Sequence, residues 1–324
     1  MPLSEFELIQ QFFSQSGAKR SDVRLGVGDD CALLAVPAGK ELVVSIDTLV
    51  EGIHFYPNVD PESLGHKALA VNLSDLAAMG AEPAWVTLAL TLPTADSDWL
   101  EAFSRGFAKL AMAHRVQLVG GDTTRGPLNI SVQAHGFVDA GCALRRAGAQ
   151  AGNLIYVTGT LGDAGLALRV AEGLSLPAGS LPYLQSRLER PTPRLAEGMA
   201  LVGLANAAID ISDGLIADLG HICKQSALGA CLDMPSLPCS TSVQEYLDER
   251  GDWSLLLSSG DDYELCFTVP PVHRDKVEAL GEELTSGLTC IGIMESKLGI
   301  RCLGVNGQEL KNITQGYDHF HSRN

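Results

Sequence analysis

Apolar residues in this chain fall into short runs and into three-to-four-residue periods that replace each other repeatedly, the pattern of strands interleaved with helices. The opening segment, MPLSEFELIQQFF, has a helical period, with Ser4 and Glu7 at capping-box spacing. CALLAV (31–36) and ELVVSID (41–47) read as strands. A helix is predicted from Asp60-Pro61 to about Met79, with Asp60 as N-cap and Pro61 in the first helical position. AWVTLALTL (84–92) is predicted as a buried strand, residues 96–114 as an amphipathic helix, and VQLVGG (116–121) and NISVQAHGFV (129–138) as strands. The period then lapses over DAGCALRRAGAQAG (139–152). It resumes with a strand at 154–159, a helix from Asp163, a helix at 194–204, the strand AAIDI (207–211) and a helix after Gly214. Three more strands follow at 263–269, 288–293 and 300–305. The pattern predicts two α+β domains, residues 1–145 and 146–324, as a length of 324 also favours.

Composition narrows the class. A chain that is 46% hydrophobic and 19% charged has material for sizeable cores. Its most apolar region, 68–92, is interrupted by Asn72, Asp75, Glu82 and Pro83, so no membrane-spanning run is expected. The first residues carry two glutamates and no basic stretch, unlike a signal peptide. The net charge of −16 argues against nucleic acid as a partner, since no basic run is available to displace counterions. Eight cysteines show neither C-x-x-C pairs nor zinc spacing, which suits a reduced, cytoplasmic protein.

The polar residues that interrupt the apolar runs are conspicuously acidic. They recur at predicted strand-to-helix junctions: GVGDD (26–30), SIDT (45–48), NLSDL (72–76), GGDTT (120–124) and AIDISDGL (208–215). Known phosphate loops do not account for them. There is no G-x-x-x-x-G-K-S/T, and GVGDDC has Cys31 where a dinucleotide loop needs its third glycine. DISDG fails as a calcium loop because Gly214 takes its fifth position. One aspartate beside glycine is ordinarily an N-cap or Asx-turn. Five such blocks exceed turn chemistry. Two carboxylates about 4 Å apart at an effective dielectric of ~20 repel by roughly 4 kcal/mol. If Asp29, Asp30, Asp47, Asp75, Asp122, Asp210 and Asp213 gather, they need divalent cations, and hard oxygen donors favour magnesium or calcium. Such cations attract phosphate, which reconciles an acidic chain with an anionic substrate.

GVGDDCALL, SIDTLVEGIHF, HKALAVNLSDLAAMGA, LVGGDTTRGP, AIDISDGL and SSGDDYELCFT together resemble the thiamine-monophosphate kinases, in order and spacing, from about residue 3 to about residue 320. The wider group they resemble, which includes aminoimidazole ribonucleotide synthetase, binds ATP between two α+β domains without a P-loop. The resemblance implies a homodimer whose N-terminal strands pair into a shared barrel, and a C-terminal α/β sandwich that completes the active site. It also implies in-line transfer of the ATP γ-phosphoryl to thiamine monophosphate, the last step in making thiamine diphosphate.

Carried over by position, the resemblance assigns several Mg²⁺ ions to Asp30, Ser45, Ile46 (through its carbonyl), Asp47, Asp75, Asp122, Asp210 and Asp213. It assigns ATP to Gly121, Asp122, Arg146 and Ser212, and thiamine monophosphate to His54, Asp261 and Tyr317. No residue is implied as a nucleophile or general base. Taken alone, His54 reads more often as a structural histidine than as a ligand contact, Arg146 nearly as readily as a solvated neighbour of Arg145, and Tyr317 equally as packing the chain end. The chain departs from the family pattern at Asp261, where relatives often carry Glu, and at His114, where they often carry Tyr. Two other readings stay open. One is a related ATP-dependent amidine-forming or selenophosphate synthetase, although no glycine-rich segment with a reactive Cys or Lys precedes GVGDD. The other is a nucleotide- or metal-binding protein without catalysis.

Overall fold

The computed structural model describes residues 5–14 and 16–310. They divide into two compact units: residues up to Leu76 together with Ala81–Cys142, and Ala77–Gly80 together with Ala143 onward. Both mix helices with sheet, so the fold is α+β.

The first unit begins with α1 (Glu5–Leu8), which continues as a π-helical turn over Ile9–Phe13 rather than as the ordinary helix expected. Leu8 and Phe13, both buried, are five apart, and the wider i to i+5 winding brings that spacing to one face. Ser4, the expected cap, lies outside the described residues. A two-stranded ribbon of β1 (Val23–Leu25) and β2 (Leu33–Leu34) follows, so CALLAV forms only a short strand. The main sheet contains β3 (Lys40–Val50), β4 (Glu82–Leu92), β5 (Gln117–Arg125) and β6 (Asn129–Asp139) in the order β3-β6-β4-β5. β6 runs antiparallel to both β3 and β4, and β4 is parallel to β5. Two helices, α2 (Pro61–Ala78) and α3 (Ser97–Ala113), supply the connections. Asp60 caps α2 as expected, its Oδ2 accepting the Ser63 N–H at 2.9 Å, and Asp96 caps α3 through the amides of Asp98 and Trp99. α2 is buried at nearly every position, whereas α3 buries one stripe that includes Leu100, Phe103, Phe107 and Leu110.

The second unit carries a six-stranded sheet in the order β12-β9-β11-β7-β10-β8. Its strands are β7 (Leu154–Thr158), β8 (Ala207–Ile211), β9 (Gly229–Asp233), β10 (Glu264–Val269), β11 (Leu288–Glu295) and β12 (Gly299–Leu303). All neighbours pair antiparallel except β12 with β9. The helices are α4 (Asp163–Ala171), α5 (Leu181–Glu189), α6 (Leu195–Ala200), α7 (Leu215–Ser226), α8 (Thr241–Arg250), α9 (Ser254–Leu257) and α10 (Arg274–Glu283). Ile155, Val157, Ile209 and Ile211 of the sheet share one core with Leu166 of α4 and Leu215, Leu219 and Ile222 of α7. The hydropathy pattern leaves β9, α5, α8 and α10 unassigned. α5 buries only Leu184 and α10 only Val277, too few apolar positions to display a period.

One polar anchor ties the edge of the first core. Trp85, fully buried in β4, donates its indole N–H to Asp22 Oδ1 at 2.9 Å, and Arg20 donates to both oxygens of the same carboxylate. Burial raises the Asp22 pKa, but the hydrogen bonds from Arg20 and Trp85 outweigh it and hold the carboxyl below its ordinary value. A carboxyl depressed in the folded state stabilises above its unfolded pKa of about 3.9 and loses that contribution as pH falls through the lower folded value. Asp22→Ala is therefore expected to cost about 2 kcal/mol at pH 7 in urea unfolding, because it strands the buried Trp85 N–H and removes the carboxylate partner of half-buried Arg20. The gap from wild type should narrow toward pH 3; a gap that stays constant with pH would contradict this role.

Candidate functional site

In the first unit the expected ligands meet through two periodicities. Ser45 and Asp47 are two apart on β3 and share a face; Asn72 and Asp75 are three apart on α2 and share another. The Ser45 hydroxyl makes a short hydrogen bond to Asp75 Oδ2, and the Asp47 amide donates to Asn72 Oδ1 at 3.0 Å. Asn72 is itself oriented by its Nδ2 donating to the Ala68 carbonyl at 3.1 Å. Asp75 is half-buried, as its apolar neighbours Leu73 and Leu76 suggest. SIDT and GGDTT therefore lie inside strands rather than at strand-to-helix junctions, and NLSDL lies inside α2, within the helix predicted from Asp60 to about Met79.

The other first-unit residues lie on the β1–β2 turn, on β5, and on or just after β3. Asp30 lies in the exposed turn between β1 and β2, its amide donating to Asp29 Oδ1 at 2.8 Å. Gly121 and Asp122 sit on β5, with Asp122 exposed and in register with Ala89 of β4. Gly121 has φ +155°, and a Cβ there would come within 1.9 Å of the Leu88 carbonyl oxygen. His54 follows β3, and its Nδ1 accepts the Val50 N–H at 3.0 Å, which places the ring proton on Nε2. Ile46 is exposed on β3. At His114, burial and the His66 charge hold the imidazole below its ordinary pKa.

In the second unit AIDISDGL does form a strand-to-helix junction. Asp210, buried near the end of β8, lies opposite Leu265 of β10. The chain leaves the strand through Ser212 and Asp213, and α7 begins after Gly214, whose φ is +112°. Asp218, in the first turn of α7, turns back so that its Oδ2 accepts the N–H groups of Ser212 and Asp213, each at 3.0 Å. Burial pushes the Asp218 carboxyl up to about 7, with the Asp213 charge adding and the amide hydrogen bonds opposing.

The segment SSGDDYEL (258–265) runs alongside. The Asp261 amide donates to the Ser212 carbonyl at 2.9 Å and the Tyr263 amide to the Ile211 carbonyl at 2.8 Å. Asp261 and Tyr263 both take left-handed conformations, φ +67° and +49°, which non-glycine residues adopt at a cost. Between them, buried Asp262 accepts the Gly162 N–H with both oxygens, at 3.0 and 3.1 Å, and burial raises its pKa well above the carboxylate range. Glu264, also buried, is bound by Arg187, Arg194 and Thr158. Arg146 is exposed, next to Arg145, whose carbonyl accepts the Ala208 N–H at 2.9 Å. Tyr317 lies outside the described residues.

Among the described residues, no three carboxylate, imidazole or thiol groups stand close enough to hold a metal ion. Asp218 and Asp262 are absent from the expected site. The signal for Asp218 is in the sequence, since Leu215, Leu219 and Ile222 place position 218 on the buried face of α7, where a carboxylate needs donors.

The chain matches the model of an AIR synthase related protein twice, with the N-terminal domain at residues 28–138 and the C-terminal domain at 150–300. It is 49% identical to the thiamine-monophosphate kinase of Escherichia coli (strain K12) over 99% of both chains. The crystal structure of the thiamine-monophosphate kinase from Stenotrophomonas maltophilia K279a superposes with a TM-score of 0.84 at 48% identity, covering 90% of this chain and 93% of that one. AaThiL complexed with AMPPCP and TMP matches at a TM-score of 0.75 and 31% identity, covering 88% and 89%. The chain thus belongs to the AIR synthase related family and, within it, to the thiamine-monophosphate kinases.

Gly214 is one position where this junction depends on a missing side chain. A Cβ there would fall 2.8 Å from the Ser258 carbonyl carbon, on a backbone already at φ +112°. Gly214→Ala is expected to lose about 2–3 kcal/mol, whereas Gly220→Ala, in open space within α7, should gain about 0.5–1 kcal/mol. Equal unfolding midpoints for the two variants would contradict the packing described.

Proposed function

We propose that this chain transfers the γ-phosphoryl group of ATP to thiamine monophosphate, giving ADP and thiamine diphosphate. The observation that carries the reading is its near-full-length kinship with thiamine-monophosphate kinases, one of which is complexed with AMPPCP and TMP. An amidine-forming or selenophosphate synthetase, or a protein without catalysis, is not favoured by these relatives.

The reaction needs little covalent chemistry from the protein. The acceptor is a phosphate monoester with a second pKa near 6, already a dianion at neutral pH. One of its oxygens attacks the γ-phosphorus in line, the bond to the β–γ bridging oxygen breaks, and ADP leaves with that electron pair. No proton has to be removed, which accords with a residue set containing no nucleophile–base pair. The protein's task is to position and neutralise two anions.

The residues proposed for magnesium offer carboxylate and hydroxyl oxygens, with no nitrogen or sulfur donor, and this set fits a small hard cation. In the first unit Asp30, Ser45, Asp47, Asp75, Asp122 and the Ile46 carbonyl would hold it; in the second, Asp210 and Asp213 would. When bound, magnesium supplies the positive charge that lets phosphate groups approach the acids. Gly121, Asp122, Arg146 and Ser212 are proposed to contact ATP, with Gly121 allowing close backbone approach. His54, donating from Nε2, Asp261 and Tyr317 are proposed to contact thiamine monophosphate.

The proposal includes a homodimer with a shared N-terminal barrel. Among the described residues β3 is an edge strand, bonded in its sheet only to β6, and it exposes Leu42, Val44 and Ile46 in an alternating row. A long apolar edge of this kind invites pairing with another chain. By light scattering, wild type should have a two-chain mass and Val44→Lys should shift it toward one chain; a monomeric wild type would contradict the dimer. In an assay with ATP, Mg²⁺ and thiamine monophosphate, wild type should form thiamine diphosphate. Asp210→Asn, which keeps size and removes charge, should lower kcat/KM at least about 100-fold. A fully active Asp210→Asn would remove Asp210 from the proposed metal set.

A further inference from the structure

Two consecutive peptide groups in the AIDISDGL junction are each gripped at both ends. In the group joining Ile211 to Ser212, the N–H is held by Asp218 and the C=O by the Tyr263 amide. In the group joining Ser212 to Asp213, the N–H is again held by Asp218 and the C=O by the Asp261 amide. Because a peptide group is planar, fixing both its donor and its acceptor fixes its orientation. The amides around a helix start are satisfied by capping side chains or by water. Here both go to one oxygen of a side chain only 3% exposed.

We infer that Asp218 is a positioning residue for the transfer reaction. On one side it fixes Ser212 and Asp213; on the other, through the same two peptide planes, the grip extends to the backbone that carries Asp261. Contacts to the nucleotide and to the acceptor are thereby set together. The inference rests on the roles given above to Ser212, Asp213 and Asp261.

The chemistry predicts what replaces Asp218. The Ser212 and Asp213 hydrogen bonds both fall on Oδ2, so asparagine can present its single carbonyl oxygen to these two amides, while the Gly214 amide also interacts with the carboxyl. Alanine removes the acceptor, and glutamate keeps the carboxylate but displaces it by a methylene.

The test pairs steady-state kinetics with amide hydrogen exchange on the full-length chain. Asp218→Ala should raise KM for ATP and for thiamine monophosphate together and lower kcat/KM at least tenfold for each. Asp218→Asn should stay within about threefold of wild type in both. A purely structural role would reduce the amount of active protein and leave both KM values unchanged. If the alanine variant does not fold, Asp218→Glu is expected to show the same paired rise in KM. In wild type, the Ser212 and Asp213 amides should exchange at least tenfold more slowly than free loop amides.

Unprotected amides at 212 and 213 in wild type overturn the inference. So do unchanged KM values in Asp218→Ala or Asp218→Glu, or an Asn variant as impaired as the Ala variant. A wild type that makes no thiamine diphosphate defeats the functional reading and the positioning role with it, while the exchange measurement still decides whether the grip exists.

Discussion

A carboxylate can occupy a buried position only where donors are aimed at it, and in both units that requirement shapes the backbone around the candidate site. Asp75 on α2 takes the Ser45 hydroxyl, and the neighbouring Asn72 takes the Asp47 amide, so helix and strand are locked at the residues proposed to bind metal. Asp218 takes two junction amides, Asp262 takes the amide ahead of α4, and Glu264 takes two arginines. Removing Asp218 or Asp262 takes the printed acceptor from the amides it holds, which is why these contacts outweigh their number in deciding local geometry.

The same constraint explains a kinase without a nucleotide loop of the usual kind. A P-loop neutralises phosphate with a lysine and a nest of amides. This chain presents acids instead and has a net charge of −16. In the proposed function the neutralising charge comes from bound cations, for which the acids would supply oxygen ligands. Since the proposed acceptor is already ionised, the absence of a general base from the residue set costs nothing.

Much of this was legible in the sequence where one face of an element is clearly distinguished. α3 shows its stripe, β6 alternates, and α2 announces its start with Asp60-Pro61. CALLAV reads as a strand but pairs only over Leu33–Leu34, and the mostly exposed α5 and α10 give no signal, because so few of their residues meet a core. The acidic blocks were visible, but their local setting was misread. An acid beside Gly or Thr looks like a turn, whereas Asp47 and Asp122 lie within long strands whose partners, β6 and β4, are distant in sequence. Asp218 escaped notice because its partners are backbone amides, and a motif of side chains does not display those. The resemblance supplied roles for His54, Arg146 and Asp261 that spacing alone left open.

The central claim is that these aspartates, rather than a lysine-bearing loop, provide the site for the cations that accompany ATP. Mn²⁺ titration followed by electron paramagnetic resonance, with AMPPCP present, tests it without relying on turnover. Wild type should bind more Mn²⁺ than the nucleotide alone accounts for, and Asp75→Asn should bind at least one ion fewer or more weakly. The account is contradicted if the wild-type chain adds no Mn²⁺ site beyond that of free AMPPCP.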